Sequence, residues 1–347
     1  MSRPVSIVIP SLDDFELFDR NLPRLFSELA RRDLDDEVLI VDDTGRDALR
    51  ARLSETFPRA RVLVREENGG FAASLRSGME QARHELCFSM NPDVFVRAGF
   101  LEPLISCLDD PETVAAVPKV LLNGDEDRIE SLVALELSGG LLEIRQPGLE
   151  EGETSGALMT LPVAFAVGGT SLLRKREFLE GGGFDSLFEP FYWEDVDWCW
   201  NHWRAGRRSV YVPASVVEHH HRGTIGRLVP SELVRAALEK NRLIFHWKHI
   251  DDPELLKEHV EALYRLVLEA WLEERRLDLV WLNLALDQAE DVLKTRRSLT
   301  SSKFTFDEVH ARARPVPLDK PLKDGPTRSG PARKKVRTKK ATKRRKK

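Results

Sequence analysis

The stretch PVSIVIPSLDDFE, residues 4–16, sets a short apolar run, Val5 to Ile9, directly against a proline, two acids and the start of a helical pattern. A continuous run of Val and Ile suits a strand covered on both faces. Glu37–Val41, Arg61–Arg65 and Glu85–Met90 have the same character, and Phe15–Arg31 and Phe71–Arg83 between them place apolar residues at helical spacing. Strands alternating with helices predict an α/β fold, a mostly parallel sheet flanked by helices. Open α/β sheets bind ligands at the carboxyl ends of their strands, so the residues just past each strand decide the chemistry. After the first strand PSLDDFE offers no glycine-rich turn, and the chain has neither G-x-G-x-x-G nor G-x-x-x-x-G-K-[ST]. An NAD enzyme and a P-loop ATPase are therefore disfavoured.

The other strand ends carry carboxylates. IVDDTG puts Asp42 and Asp43 where a carboxylate holds ribose hydroxyls or base N–H groups, or caps the next helix. The third strand leads into Asn68-Gly69-Gly70, a tight turn opening a helix of small residues. The fourth ends in FSMNPDVFV, where Pro92 stops the strand and leaves Asp93 just beyond its edge. That Asp is either part of an Asn-Pro-Asp turn or a ligand for Mg2+ or Mn2+, which takes one or two carboxylates and leaves its other positions to phosphate and water. Farther on, Tyr192, Trp193, Trp198, Trp200 and Trp203 surround Glu194, Asp195 and Asp197, and most of those tryptophans are expected in the core. Acids there either cap a helix or supply a general base beside an aromatic surface, an arrangement that suits sugars. His219-His220-His221 comes after a later strand, where the run is either an ordinary strand end or places an imidazole opposite an Asp-bound cation as a metal ligand.

Composition bounds the rest. The 347 residues, 41% hydrophobic and 32% charged, allow one large or two modest domains. The net charge of −4 divides into a tail of +14, from Arg312 to Lys347, on a body of −18. We expect an α/β domain over 1–229, divided near 120. A helical subdomain over 230–299 and a disordered basic tail over 300–347 should come next, the tail being too poor in apolar residues to order itself. Three widely spaced cysteines predict no disulfide and no zinc site. The apolar run before Pro10 is too short for a signal peptide, and Thr154–Leu173, uncharged but broken by Pro162 and Gly168-Gly169, reads as buried strand. Cytoplasmic residence is the expectation.

PVSIVIPSL, IVDD, the Asn68–Met79 segment, NPD, Gly183-Phe184-Asp185, YWEDVDWCW, VPASVVEH and KNRLIFHWKH occur in an order that resembles the inverting family 2 glycosyltransferases of the GT-A fold, particularly rhamnosyl- and galactofuranosyl-transferase-like members. The resemblance covers residues 3 to about 250 and implies that 1–229 is a catalytic domain, with a nucleotide half to about 120 and an acceptor half from 121. It implies a dTDP- or UDP-linked sugar donor, met by Pro10, Asp42, Asp43, Asn68, Gly70, Phe71 and Asn91. It implies a divalent cation on Asp93 and His219, Asp195 as catalytic base, and an acceptor, a glycan or polyprenyl-linked sugar, near Trp193, Glu194 and Gly169. The D-x-D metal motif of the family is reduced here to Asn91-Pro92-Asp93. A basic tail suits peripheral contact with an anionic membrane on the cytoplasmic side. The rivals are a non-catalytic sugar-nucleotide-binding scaffold, which both Asp93 and Asp195 argue against, and a nucleic-acid binder, disfavoured because only the tail is basic.

Overall fold

The structure is a computed structural model that describes residues 2–145, 159–220, 229–275, 279–299 and 302–315. The four expected strands are β1 (Val5–Ser11), β2 (Glu37–Asp42), β3 (Ala60–Val64) and β4 (Leu86–Met90), and the two helices are α1 (Phe15–Arg32) and α3 (Gly70–Gln81). A further helix, α2 (Ala48–Thr56), joins β2 to β3. All seven residues of β1 are buried, as its unbroken apolar run requires. β1 pairs in parallel with β2 and β4, and β2 with β3, in a register that aligns Ser11 with Asp42 and Asp42 with Val64. Pro10 lies beyond Val8, the last β1 residue paired with β4, so its missing N–H interrupts no bond to that neighbour. α3 lies close on β1 and β2 because Gly78 faces them; a Cβ there would overlap Val8 and approach Val41 to 2.9 Å.

After β4 come β5 (Val94–Val96), α4 (Leu101–Cys107), β6 (Thr113–Leu122), the hairpin β7 (Ala134–Ser138) and β8 (Leu141–Arg145), β9 (Leu161–Val163), β10 (Thr170–Arg174), α5 (Lys175–Glu180), α6 (Glu194–Arg204) and β11 (Arg208–His219). The main sheet runs β3-β2-β1-β4-β10-β6-β11-β5, with β9 on β11. β10 is antiparallel to both β4 and β6. The expected nucleotide and acceptor halves thus share one sheet, the second half inserting β10 between two strands of the first.

The C-terminal region is helical, as expected: α7 (Ser231–His249), α8 (Pro253–Leu272), α9 (Val280–Asp287) and α10 (Ala289–Ser298). α7 is continuous with the main core, its buried Phe245 lying 5.4 Å from Trp200 of α6 between ring centroids. The expected boundary of the disordered tail at 300 needs correction. Phe306–Arg312 form α11, opened by a capping box between Thr305 and Glu308. Its Phe306 is buried, with its ring 5.0 Å from that of Trp200. Only two apolar residues of α11, Phe306 and Val309, are buried, too few to stand out among the Pro and Arg around them. Residues 316–347 of the tail lie outside the described residues.

Candidate active site

The Asn91-Pro92-Asp93 turn is held from two sides. The side-chain amide of Asn21 on α1 donates to the Pro92 carbonyl at 2.5 Å, and the Asn91 N–H donates to the Gly169 carbonyl at 2.7 Å. Gly169 is required by contact: a Cβ there would overlap the Asn91 side chain. Its neighbour Gly168 turns its N–H to Asp195 Oδ2 at 3.0 Å. The two glycines therefore join the carboxylate at the end of β4 to the carboxylate at the start of α6.

α6 opens as expected near Trp193, which takes the N-cap position with φ +74°. Tyr192 before it has φ +71°, so two bulky residues in succession occupy the left-handed region, a strained arrangement that surrounding contacts must hold. Asn241 of α7 supplies them. Its buried amide donates to the carbonyls of Phe188, Phe191 and Tyr192 at 2.6, 2.9 and 2.8 Å. Lys240 Nζ beside it donates to the Glu189 carbonyl at 2.6 Å. This clamp fixes the entry to Glu194 and Asp195. KNRLIFHWKH contains both residues, but nothing local in that string shows that they reach back 50 residues to carbonyl oxygens.

Glu194 and Asp195 are half-buried neighbours. Burial raises the Asp195 carboxyl above its ordinary value, against the N–H bonds it accepts from Gly168 and Val196. Burial, followed by the Asp195 charge, pushes Glu194 up to about 8, and its Oε2 has no hydrogen-bond partner among the described residues. At both carboxyls burial outweighs the favourable field of the helix N-terminus. Asp197 is a different kind of residue. It is buried and salt-bridged to Lys248 at 2.8 Å and hydrogen-bonded to His249 at 2.7 Å, and Lys248 also meets Asp185 at 2.7 Å. Against the cost of burial, Lys248 and His249 hold the Asp197 carboxyl below its usual range. Asp197 is committed to the core.

The aromatic surface expected of Trp193 is also corrected. Trp193 is only 4% exposed and packs on Phe245 at 5.2 Å, and Trp198, Trp200 and Trp203 are buried with it. Tyr192 is the exposed ring of the segment, while Phe71 stacks on Phe184 at 6.2 Å beside Gly168.

At the other end of the sheet's edge, the two aspartates of IVDD divide their work. Asp43 accepts from the N–H groups of Gly69 and Gly70, the latter at 2.7 Å, and meets Arg65 at 3.4 Å. Gly70 (φ +76°) also donates to Asn68 Oδ1 at 3.2 Å. Asp43 thus shapes the turn that opens α3. Asp42 accepts at Oδ1 from the Thr44 N–H, and its buried Oδ2 has no hydrogen-bond partner among the described residues. Pro10 is buried within β1, so its ring belongs to the core.

Asp93 Oδ1 stands 3.1 Å from His219 Nε2, and His219 Nδ1 stands 2.9 Å from Glu130 Oε2. Burial lowers the imidazole's proton affinity, but the bonds to Asp93 and Glu130 outweigh it and bring the ring to about 9. Two neighbouring ligands of an octahedral cation, each at about 2.1 Å, lie about 3.0 Å apart, so this pair fits a divalent ion once the imidazole proton leaves. Glu130, absent from the sequence reading, holds the other ring nitrogen and so fixes the orientation of the imidazole. Among the described residues no group of three or more His, Cys, Asp or Glu converges to hold a metal ion. His220 turns instead to Glu218 at 3.1 Å, and His221 lies outside the described residues.

Comparison with known proteins bears on this arrangement. Residues 6–181 match the family described as Glycosyl transferase family 2. The chain is 30% identical over 225 residues to a pre-mycofactocin glycosyltransferase of Mycobacterium tuberculosis, covering 63% of this chain and 43% of that protein. It is 26% identical over 235 residues to an N-acetylglucosaminyl-diphospho-decaprenol L-rhamnosyltransferase of the same species, covering 60% of this chain and 73% of the relative. GalNAc-T7, solved with UDP, GalNAc and Mn2+, superposes with a TM-score of 0.59 at 18% identity, over 72% of this chain and 48% of its own. The chain spans well under half the length of the first of these relatives.

Proposed function

The chain belongs to glycosyl transferase family 2, and from that premise we propose that it moves a sugar from a nucleotide-diphosphate donor to an acceptor hydroxyl with inversion at the anomeric carbon. The observation that carries the reading is the Gly168-Gly169 junction, which ties Asp195 to the turn bearing Asp93. The acceptor oxygen forms its bond to the anomeric carbon as that carbon's bond to the diphosphate breaks, with the electron pair leaving on the diphosphate. Asp195 takes the hydroxyl proton. Since the base and not an enzyme nucleophile meets the sugar, one displacement inverts the configuration. Glu194, protonated near neutral pH, offers the acceptor a donor O–H without repelling the Asp195 charge. A divalent cation held by Asp93 and His219 would supply positive charge against the leaving diphosphate. The unpartnered Asp42 Oδ2 suits an N–H or hydroxyl of the nucleoside.

A hexosyl or deoxyhexosyl donor linked to UDP or dTDP, and a glycan or polyprenyl-linked acceptor, are the finer reading. The similarity to a rhamnosyltransferase named for a decaprenol-linked sugar supports it. Among the described residues no helix is long and apolar enough to cross a membrane. We place the reaction at the cytoplasmic face, with the basic tail against anionic lipid. Calorimetric titration of UDP, dTDP and GDP with and without Mn2+ tests the core of the proposal. Binding of one diphosphate should tighten at least about tenfold with the metal, and Asp93→Ala should abolish that gain. Failure of all three to bind under either condition would defeat it.

A further inference from the structure

Tyr192 carries its ring at the expense of its backbone. Its φ of +71° lies in the left-handed region, which Gly and Asn enter readily and a bulky side chain enters only under constraint. That constraint is built into the fold, since Asn241 holds the carbonyls of Phe188, Phe191 and Tyr192. The next residue, Trp193, is turned the same way at φ +74° and seals its ring against Phe245. Two left-handed residues in succession thus send one ring into the core and leave the other at the surface, where Tyr192 is 37% exposed. Packing alone does not account for a tyrosine here. A ring needed by the core would be covered, and a turn without further duty would take Gly or Asn with less strain.

The ring stands among the groups of the proposed reaction. Phe191 meets it edge to face, with centroids 5.1 Å apart. After burial, the charge of Glu194 raises the Tyr192 phenol above its ordinary value, so the field of that carboxyl reaches the hydroxyl. At the other end of the same loop, a Cβ on Gly70 would have the Pro190 carbonyl oxygen as its nearest neighbour, at 3.8 Å. Pro190 to Tyr192 therefore bridge the turn that opens α3 and the carboxyls that open α6. We infer, resting on the proposed glycosyl transfer, that Tyr192 is the platform on which a pyranose ring of the acceptor stacks. The apolar C–H face of the sugar lies on the ring, and the phenol tip beside Glu194 meets a sugar hydroxyl. A nucleobase could also stack on a phenol, but the unpartnered Asp42 Oδ2 draws the nucleoside to the end of β2 instead. Tyr192 thereby takes the part that the sequence assigned to Trp193.

Saturation-transfer NMR on the full chain with the methyl glycosides of rhamnose, mannose, galactose and N-acetylglucosamine, each at about 10 mM, tests the inference. At least one should bind. Tyr192→Phe should keep its dissociation constant within about threefold, whereas Tyr192→Asn, which suits the left-handed backbone, should raise it by about tenfold or more. Calorimetric titration of UDP, dTDP and GDP with Mn2+ should give the same diphosphate affinity for both variants as for the native chain, and the urea midpoint of Tyr192→Asn should stay at the native value. Binding of no glycoside, or binding indifferent to Tyr192→Asn, overturns the proposal. A lower urea midpoint accompanying the loss would return the ring to the fold, and weaker diphosphate binding would assign it to the donor's nucleobase; either overturns the proposal equally. A native chain that binds a diphosphate but no glycoside defeats the platform alone, and one that binds neither defeats the proposed function with it.

Discussion

The backbone N–H of Gly168 donates to Asp195 Oδ2 at 3.0 Å, while the adjacent Gly169 leaves no room for a Cβ against Asn91. Two consecutive residues thus set the spacing between the proposed base and the proposed metal-bearing turn. The two should respond differently to the same substitution. A Cβ on Gly168 would meet Phe71, Phe184 and the Asp195 Cβ at 3.2, 3.4 and 3.5 Å, close but movable contacts. Gly169→Ala must displace the Asn91 side chain, and with it the turn bearing Asp93. We expect Gly168→Ala to lower transfer less than about tenfold and Gly169→Ala by about a hundredfold, since misplacing a reacting group by about 1 Å costs that much. Equal effects on kcat/KM would count against a hinge at this junction.

Asp195 and Asp197 are two residues apart and separate by readout. Asp195→Asn removes a proton acceptor, so transfer should fall by about 10² to 10⁴ with donor affinity and melting temperature retained. Asp197→Asn instead leaves Lys248 in the core with Asp185 as its remaining carboxylate. Removing one partner of a buried pair costs about 3–5 kcal/mol, which urea unfolding will detect. An Asp195→Asn protein that transfers at the native rate, or an Asp197→Asn protein as stable as the native one, reverses the assignment.

The alternation of β1 to β4 with α1 and α3 was legible in the sequence to within about two residues at each end, because unbroken Val/Ile runs and helical spacing are local signals. The carboxylates at strand ends were legible for the same reason, since an open sheet presents the residues at the carboxyl ends of its strands. Glu130 and Asn241 were not. Their meaning comes from pairings at sequence separations of 89 and about 50 residues. The tryptophans are mostly core, as expected, and only the acceptor-facing surface given to Trp193 fails: an aromatic ring beside acids reads alike whether it faces a sugar or Phe245. α11 was missed because a capping box and one buried phenylalanine carry little weight inside a basic, proline-rich segment.

Asn241 positions the entry to α6. Asn241→Ala leaves the carbonyls of Phe188, Phe191 and Tyr192 without their donor and frees two residues held at positive φ. Unsatisfied buried groups cost about 1–3 kcal/mol, and release of the backbone strain offsets part of that. The larger effect should fall on kcat, as the dyad loses its fixed approach, with KM for donor little changed. A loss confined to stability, with kcat intact, would show that the clamp serves the fold alone.

Truncation after Leu299 removes α11 together with the basic tail, whereas truncation after Pro315 removes the tail only. Phe306 fills space against Trp200, so the shorter chain should lose about 3–5 kcal/mol, the cost of deleting a buried phenylalanine. The longer one should keep its stability and its donor binding. Phe306→Ala in the full chain should reproduce most of the loss. Equal melting temperatures for the two truncations would remove α11 from the core.

Stability should fall on mild acidification, and the buried histidines give the sign. Burial lowers His202 and His249 to about 4 and His246 to about 3, and His259 and His310 are shifted the same way. An unfolded chain takes up protons at these positions as pH drops through about 6.5, while native His202, His246 and His249 refuse them until about 4 or below. His219, Glu194 and Asp195, shifted up in the native chain, act in the opposite sense and are outnumbered by the five histidines. The unfolded state therefore binds more protons across that window, and unfolding free energy declines with falling pH. Each fully refused proton steepens the slope by about 1.4 kcal/mol per pH unit. Asp197 acts lower down. Its depressed carboxyl contributes in full above its unfolded value and loses that contribution as pH falls through the folded one. Urea midpoints at pH 7, 6 and 5 should decrease in that order, and His202→Gln should make the decline shallower. Midpoints that hold steady or rise between pH 6.5 and 5 would mean that the histidines of this core accept protons in place.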